Sequence, residues 1–180
     1  MTFKELAAVR QSCRAYNPDR AVSAEQIMLL VEIAATAPSA CNSQPWKCVI
    51  CTGETAEKIR PMTQDKPLPI NRWVRNATAF IAVCETKARL FKGAPVGSQH
   101  YAQLDIGQFT AYLTLAAADA GLATCVIGHF HEKPLKALLG IPDKVPVRLL
   151  VAVGVAAEND PIREKSRKPL RDSVCVNRWE

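Results

Sequence analysis

The segment from Tyr101 to Ala120 most constrains how this chain can fold. It reads as one long helix stopped by Gly121, the residue type that best tolerates the left-handed turn after a helix. Leu104, Ile106, Phe109, Ala111, Leu113, Leu115, Ala116 and Ala117 run almost all the way round its axis. A helix that is apolar on every side must be buried on every side. The 180 residues make one domain. The reading is therefore that a partner subunit covers one face of this helix. A membrane span is excluded for the same stretch, because Ile106 to Ala118 falls short of about 20 apolar residues and contains Gln108.

The other elements follow from periodicity and punctuation. Thr2 with Glu5, and Ser23 with Gln26, have capping-box spacing and open two helices. The second carries Ile27, Leu30, Val31 and Ala34 on one face, and Pro38 marks its end. Trp46 to Cys51, Ala79 to Cys84, Ala123 to Ile127 and Arg148 to Val155 read as strands. Short helices are expected at Thr55 to Arg60 and around Leu135. Ala79 to Cys84 is apolar throughout, so both faces should be covered. Between Met62 and Trp73, and between Lys87 and Ser98, prolines and glycines (Pro67, Pro69, Gly93, Pro95, Gly97) point to loops or short irregular helices near a pocket. From residue 158 to 180 the core pattern stops. Because Val174, Cys175, Val176 and Trp179 lie there, the reading is an arm laid over another surface.

The seven cysteines are odd in number and sit mostly among apolar neighbours, which argues for reduced, structural thiols. Cys48 and Cys51 have CxxC spacing, but positions three apart on a strand face opposite ways, so no metal site is expected there. The first residues show no secretory pattern, and a cytoplasmic protein is expected. The net charge is +6, which raises a nucleic-acid reading. Neither a recognition helix nor interleaved exposed aromatics supports it, since Trp46 and Phe80 fall in core patterns. The excess lies in Arg163, Lys165, Arg167, Lys168 and Arg171, with Arg10 and Arg14 adding to it.

The phosphate-loop, nucleophile-elbow and zinc-helix motifs are absent, and three segments remain. Arg10-Gln11-Ser12-Cys13-Arg14 places two guanidinium groups and a hydroxyl close together, a donor set suited to an anion. The stretch from Ala37 to Trp46 holds Ser39, Asn42, Ser43 and Gln44 between two prolines, suited to a polar ligand edge. Gly121 to Phe130 is a strand ending in Gly128-His129, where backbone N–H groups lack ladder partners.

Taken in order, these segments resemble the nitroreductase family of FMN-dependent NAD(P)H oxidoreductases. The matching pieces are Arg10/Ser12/Arg14, Pro38 to Trp46, Gly121 to Gly128, Arg167-Lys168-Pro169 and Asn177-Arg178-Trp179. The resemblance spans essentially the whole chain. It implies an α+β fold with a mainly antiparallel sheet flanked by helices, and an obligate homodimer that exchanges its C-terminal arms. It implies that Arg10, Gln11 and Ser12, helped by Arg167 and Lys168, hold the FMN phosphate, with Arg14 on the phosphate side or the pyrimidine edge. Pro38, Ser39 and Ala40 would line the ring, and Asn42 and Gln44 would reach the ribityl chain or ring from the partner. Ile127, Gly128 and His129 would flank flavin N5.

NADH or NADPH would deliver hydride and leave, and a small electron-poor acceptor would then enter the same pocket. No side-chain acid or base is implied. His129 and His131 lack companions for a metal, and His129 reads as a pocket wall near Phe130. The family commonly has other residue types near His129, and a glycine where this chain has Cys41. Alternatives are a flavin storage protein, or a relative that removes halogens or fragments flavin. Those relatives usually carry a longer lid than the stretch from Glu85 to His100.

Overall fold

The computed structural model describes residues 1–65, 68, 70–89, 91 and 98–179. Pro67, Pro69, Gly93, Pro95 and Gly97 lie outside the described residues, so the loop reading there concerns only their flanks. Those flanks carry short 3-10 turns at Arg60–Thr63, Arg72–Asn76 and Ser98–His100.

Both capping boxes form. Thr2 Oγ1 accepts from Glu5 N at 3.3 Å and Glu5 Oε2 from Thr2 N at 2.8 Å, starting α1 (Phe3–Val9). Ser23 and Gln26 do the same for α2 (Ala24–Ala34), which buries Ile27, Leu30 and Ala34. β1 (Trp46–Thr52) leads directly into α3 (Gly53–Ile59), which starts two residues before the expected Thr55. β2 (Ala79–Glu85), α4 (Ala102–Asp119), β3 (Ala123–Ile127), α5 (Glu132–Leu139) and β4 (Val147–Gly154) complete the core. Gly121 takes φ +71° after α4, as its C-terminal stop requires.

The strands form one sheet in the order β1-β2-β4-β3, every pair antiparallel. Alternation sends Phe80, Ala82 and Cys84 to one face with Ile59 and Leu135, and Ala79, Ile81 and Val83 to the other with α2 and α4. All of β2 is buried, as a strand covered on both faces must be. Cys48 packs with the second face and buried Cys51 with the first, so the CxxC pair straddles the sheet.

β4 carries one extra residue opposite β2: Val83 pairs with Leu149 and Cys84 with Val147, leaving Arg148 between them. This bulge sets Arg148 beside Glu85, a buried acid at the end of β2. Arg148 Nε reaches Glu85 Oε2 at 2.5 Å, and Gln99 Nε2 reaches Oε1 at 2.5 Å. Gln99 Oε1 accepts from Ala88 N and its amide donates to Thr86 O, which ties the start of the α4 region to the end of β2.

α4 is not covered all round within this chain. Leu104 is 62% and Tyr112 41% exposed, and on α2 Met28, Leu29 and Ile33 are at least half exposed. The residues after Ala157 form no strand with the sheet, and Leu170, Val176 and Trp179 stand out in solvent.

Cys13, Cys51, Cys84 and Cys125 are buried and Cys48 half-buried, whereas Cys41 and Cys175 are exposed, which departs from a uniformly structural reading. Burial pushes Cys13 and Cys48 from 9.0 up to about 12, and Cys51 up to about 11. Well below pH 9 these thiols are neutral in both states and do not make stability depend on pH. Above it the unfolded chain releases protons that the folded chain keeps, so stability falls as pH rises from about 9 toward about 12. The unfolding free energy from urea titrations should therefore drop between pH 9 and 10 by about 1 kcal/mol per buried thiol. A Cys13→Ala/Cys48→Ala variant should show a shallower drop.

Candidate cofactor site

The Arg10–Arg14 segment is fixed by the edge of the sheet. Cys13 N donates to Thr124 O at 2.9 Å, Asn17 N to Val155 O at 2.9 Å, and Ala157 N to Ala15 O at 2.9 Å. Ser12 bridges Thr124 on β3, and Tyr16 bridges Ala156. The Tyr16 ring is buried over Gly154, where a Cβ would come within 2.7 Å of its Cδ1. Only glycine at 154 lets the ring lie this close.

The far end of the chain folds back on the same segment. Gln11 uses both ends of its amide: Nε2 donates to Pro161 O at 3.1 Å and Oε1 accepts from Arg163 N at 3.0 Å. Arg163 donates to Ser12 O at 2.6 Å and pairs with Asp160 Oδ1 at 2.5 Å. Lys165 Nζ donates to Arg10 O at 2.6 Å. The result is a cleft lined by Arg10, Gln11, Ser12, Arg14, Arg163, Glu164, Lys165 and Arg167.

Of the residues expected to bind a phosphate, the structure therefore assembles Arg10, Gln11, Ser12, Arg14 and Arg167. Lys168 is exposed and does not line the cleft, whereas Arg163 and Lys165 do. Composition could not separate these cations, since all belong to one basic run. Desolvation first, and then Arg10, Arg167 and Arg163, push the Lys165 ammonium below its ordinary value. Cations crowded this closely, with one hydroxyl and bidentate guanidinium donors, fit a phosphate dianion. At about 240 Å³ the cleft lies below the roughly 300–1,000 Å³ of a whole-ligand pocket, so it suits a phosphate end rather than a tricyclic ring.

Pro38, Ser39, Ala40, Asn42 and Gln44 form a second region, and none of them lines the basic cleft. Cys41 (φ +52°), Asn42 (φ +51°) and Gln44 (φ +46°) sit in left-handed backbone, a conformation costing about 1–3 kcal/mol per non-glycine residue. Side chains hold the loop there. Gln44 N donates to Ser39 Oγ at 3.0 Å, Gln44 Nε2 to Asn42 Oδ1 at 3.0 Å, and Arg89 N to Ser43 Oγ at 2.7 Å.

Asp105 of α4, 3% exposed, accepts from Ala40 N at 3.1 Å, while its Oδ2 has no hydrogen-bond partner among the described residues. The sequence signal was an acid inside an apolar helix. Asp105→Ala leaves the Ala40 N–H unpaired, so the loop should loosen at a cost of about 1–3 kcal/mol. Hydrogen exchange at Ala40 and thermal unfolding would measure both effects.

Ile127 is buried at the end of β3, and Gly128 and His129 follow outside the ladder. Asp65, Asn71 and His131 surround this corner: Asn71 Nδ2 donates to His129 O at 3.3 Å, and Asp65 pairs with both histidines. Asp65 and Asn71 carried no sequence signal, because they lie in a stretch without periodicity.

The nitroreductase family profile matches residues 7–155, covering both the 10–14 segment and the whole sheet. This chain belongs to the nitroreductase family. A relative named "Putative NADH dehydrogenase/NAD(P)H nitroreductase", from Archaeoglobus fulgidus, is 28% identical over 94% of both chains. An iodotyrosine dehalogenase 1 homolog of Caenorhabditis elegans is 24% identical over 93% of this chain and 59% of its own length. The fold matches a structure from Exiguobacterium sibiricum solved in complex with FMN, with a TM-score of 0.82 and 20% identity over 100% of this chain and 98% of that one. The nitroreductase fold is thus the α+β, mainly antiparallel architecture expected from the sequence. Among the described residues, no helix of this nitroreductase-family chain is long and apolar enough to cross a membrane.

Proposed function

We propose that the chain is an FMN-dependent oxidoreductase that takes hydride from NADH or NADPH and passes it to an electron-poor acceptor, such as a nitroaromatic or a quinone. The observation that carries this reading is the cleft in which Arg10, Ser12, Arg14, Arg163, Lys165 and Arg167 converge. Its donors suit the phosphate of FMN. The names of the Archaeoglobus and Exiguobacterium relatives point the same way.

When bound, FMN supplies the ring that accepts and returns hydride, and the two substrates use one pocket in turn. The chain's work is then positional. The guanidinium groups hold the phosphate, with Gln11 keeping the tail against it. The strained loop from Pro38 to Gln44 lines the ring, and the corner at Ile127, Gly128 and His129 offers backbone N–H groups to its edge.

Homodimerisation belongs to the same reading. The exposed apolar side chains of α2 and α4 need a cover, and the cleft is too small for the ring, so a second copy supplies the remaining wall. Residues 158–167 stay with their own subunit, and those that follow reach over the partner. The buried thiols suit a reducing, cytoplasmic setting.

The test is the visible spectrum of the purified protein supplied with FMN, followed by anaerobic NADH or NADPH. Bound flavin that bleaches is expected. A protein that takes up no FMN overturns the reading, and bound flavin that neither nicotinamide bleaches favours the storage role. Turnover of iodotyrosine in place of nitroaromatics or quinones would favour dehalogenation.

A further inference from the structure

A polar cluster beside the end of β3 is left unused by cofactor binding. Asp65 sets one carboxylate oxygen against His129 Nε2, and the other 3.1 Å from His131 Nε2. His131 Nε2 also lies 3.3 Å from Gln64 O, and His131 N donates to Met62 O at 2.7 Å. Asn71 Nδ2 closes the arrangement by donating to Thr63 O at 2.9 Å and to His129 O at 3.3 Å. The imidazoles are about half exposed and Asp65 is 28% exposed, so the rings open to solvent while the carboxylate lies behind them.

These contacts fix the tautomers. A carboxylate and a carbonyl can only accept, so the Nε2 atoms that face them must carry protons. Nδ1 is then the position at which each ring gains or loses a proton. Asp65 and His131 are the titratable groups set against His129, and no hydrogen bond among the described residues engages its Nδ1. A carboxylate beside two imidazoles is an acid–base group that can carry protons.

We infer that His129 is the proton donor to the acceptor and that Asp65 is its positioning residue. This rests on the flavoenzyme reading, in which the His129 backbone lies at the ring edge where the acceptor enters. Reducing a quinone takes a hydride, drawn from NAD(P)H through the flavin, and a proton at the oxygen left anionic. The His129 Nδ1–H bond breaks and an O–H bond forms on the acceptor. The ring returns to the neutral Nε2–H tautomer that Asp65 holds, and water reprotonates Nδ1. Asp65 thus keeps Nδ1 as the donor and stabilises the imidazolium between turnovers. His131 shares the carboxylate but lies past the corner, and Asn71 fixes the His129 carbonyl rather than that of His131.

The experiment compares reduction of menadione, which takes up protons, with reduction of ferricyanide, which takes only electrons, using FMN-loaded wild type, His129→Gln and Asp65→Asn. The menadione-to-ferricyanide rate ratio should fall about 100-fold in His129→Gln, within the usual range for a general acid, and about tenfold in Asp65→Asn. Nitrogen-15 spectra of the flavin-free protein, taken at a pH high enough for the ring to be neutral, should show His129 as the Nε2–H tautomer in wild type, and a mixture in Asp65→Asn. An unchanged ratio in His129→Gln, or an Nδ1–H tautomer in wild type, would overturn the inference while flavin binding and its bleaching by NAD(P)H still stood. Absence of FMN uptake would instead overturn the functional reading and this inference together.

Discussion

Arg10→Ala is expected to weaken FMN binding by about 10- to 150-fold. That is the worth of one charge-assisted hydrogen bond at about 1.5–3 kcal/mol, with 1.36 kcal/mol per factor of ten. The substitution is a clean probe, because Lys165 is held by the Arg10 backbone carbonyl rather than its side chain. The cleft therefore loses one guanidinium and keeps its shape. Flavin fluorescence titrations at two salt concentrations would check both affinity and electrostatics, since the salt dependence should become shallower. Lys168→Ala, outside the cleft, should shift the affinity by less than twofold. Equal losses at the two positions would show that the phosphate lies elsewhere.

Arg148→Met should lower stability by about 3 kcal/mol, the low end for an ion pair that loses one partner while the other stays buried. Glu85 is 6% exposed, so among the described residues its carboxylate would keep only Gln99 as a side-chain donor. The low end applies because Arg148 is itself about one-third exposed. For a chain of this length a loss of that size lowers Tm by about 6–12 °C. Calorimetry would measure it, and Glu85→Leu combined with Arg148→Met should recover most of the loss by removing the stranded charge. A double variant as unstable as the single one would place the effect in the bulge geometry instead.

Much of this molecule could be read before it was seen, for reasons that differ by region. The strands appeared because β2 and β4 are buried on both faces, and only unbroken apolar runs survive there. The N-terminal helices appeared because Thr2 and Ser23 carry their caps in the sequence. What stayed hidden depends on contacts distant along the chain. Lys165 and Lys168 are equivalent as letters; the Gln11 amide, pairing with Pro161 and Arg163, and the Arg163 bond to Ser12 O set which of them faces Arg10. The bulge at Arg148 has no local signal, because its partner Glu85 is 63 residues away. Asp65 and Asn71 were invisible for a similar reason: their partners are the histidine corner beyond β3. The long apolar helix correctly announced an uncovered face, but not which residues would show it. Leu104 and Tyr112 were indistinguishable from Ile106 and Phe109 until α2 had taken its place.

The anion cleft joins the tenth residue of the chain to the one hundred and sixty-seventh. During synthesis the N-terminal arginines therefore emerge from the ribosome long before their counterparts exist. A half-made chain has no tail for Gln11 to grip and no second set of cations. In the proposed flavoenzyme, cofactor loading is for that reason a late event in the life of the polypeptide. It would double as a check that translation has run past Arg167, because the cleft of a shorter chain lacks its tail cations.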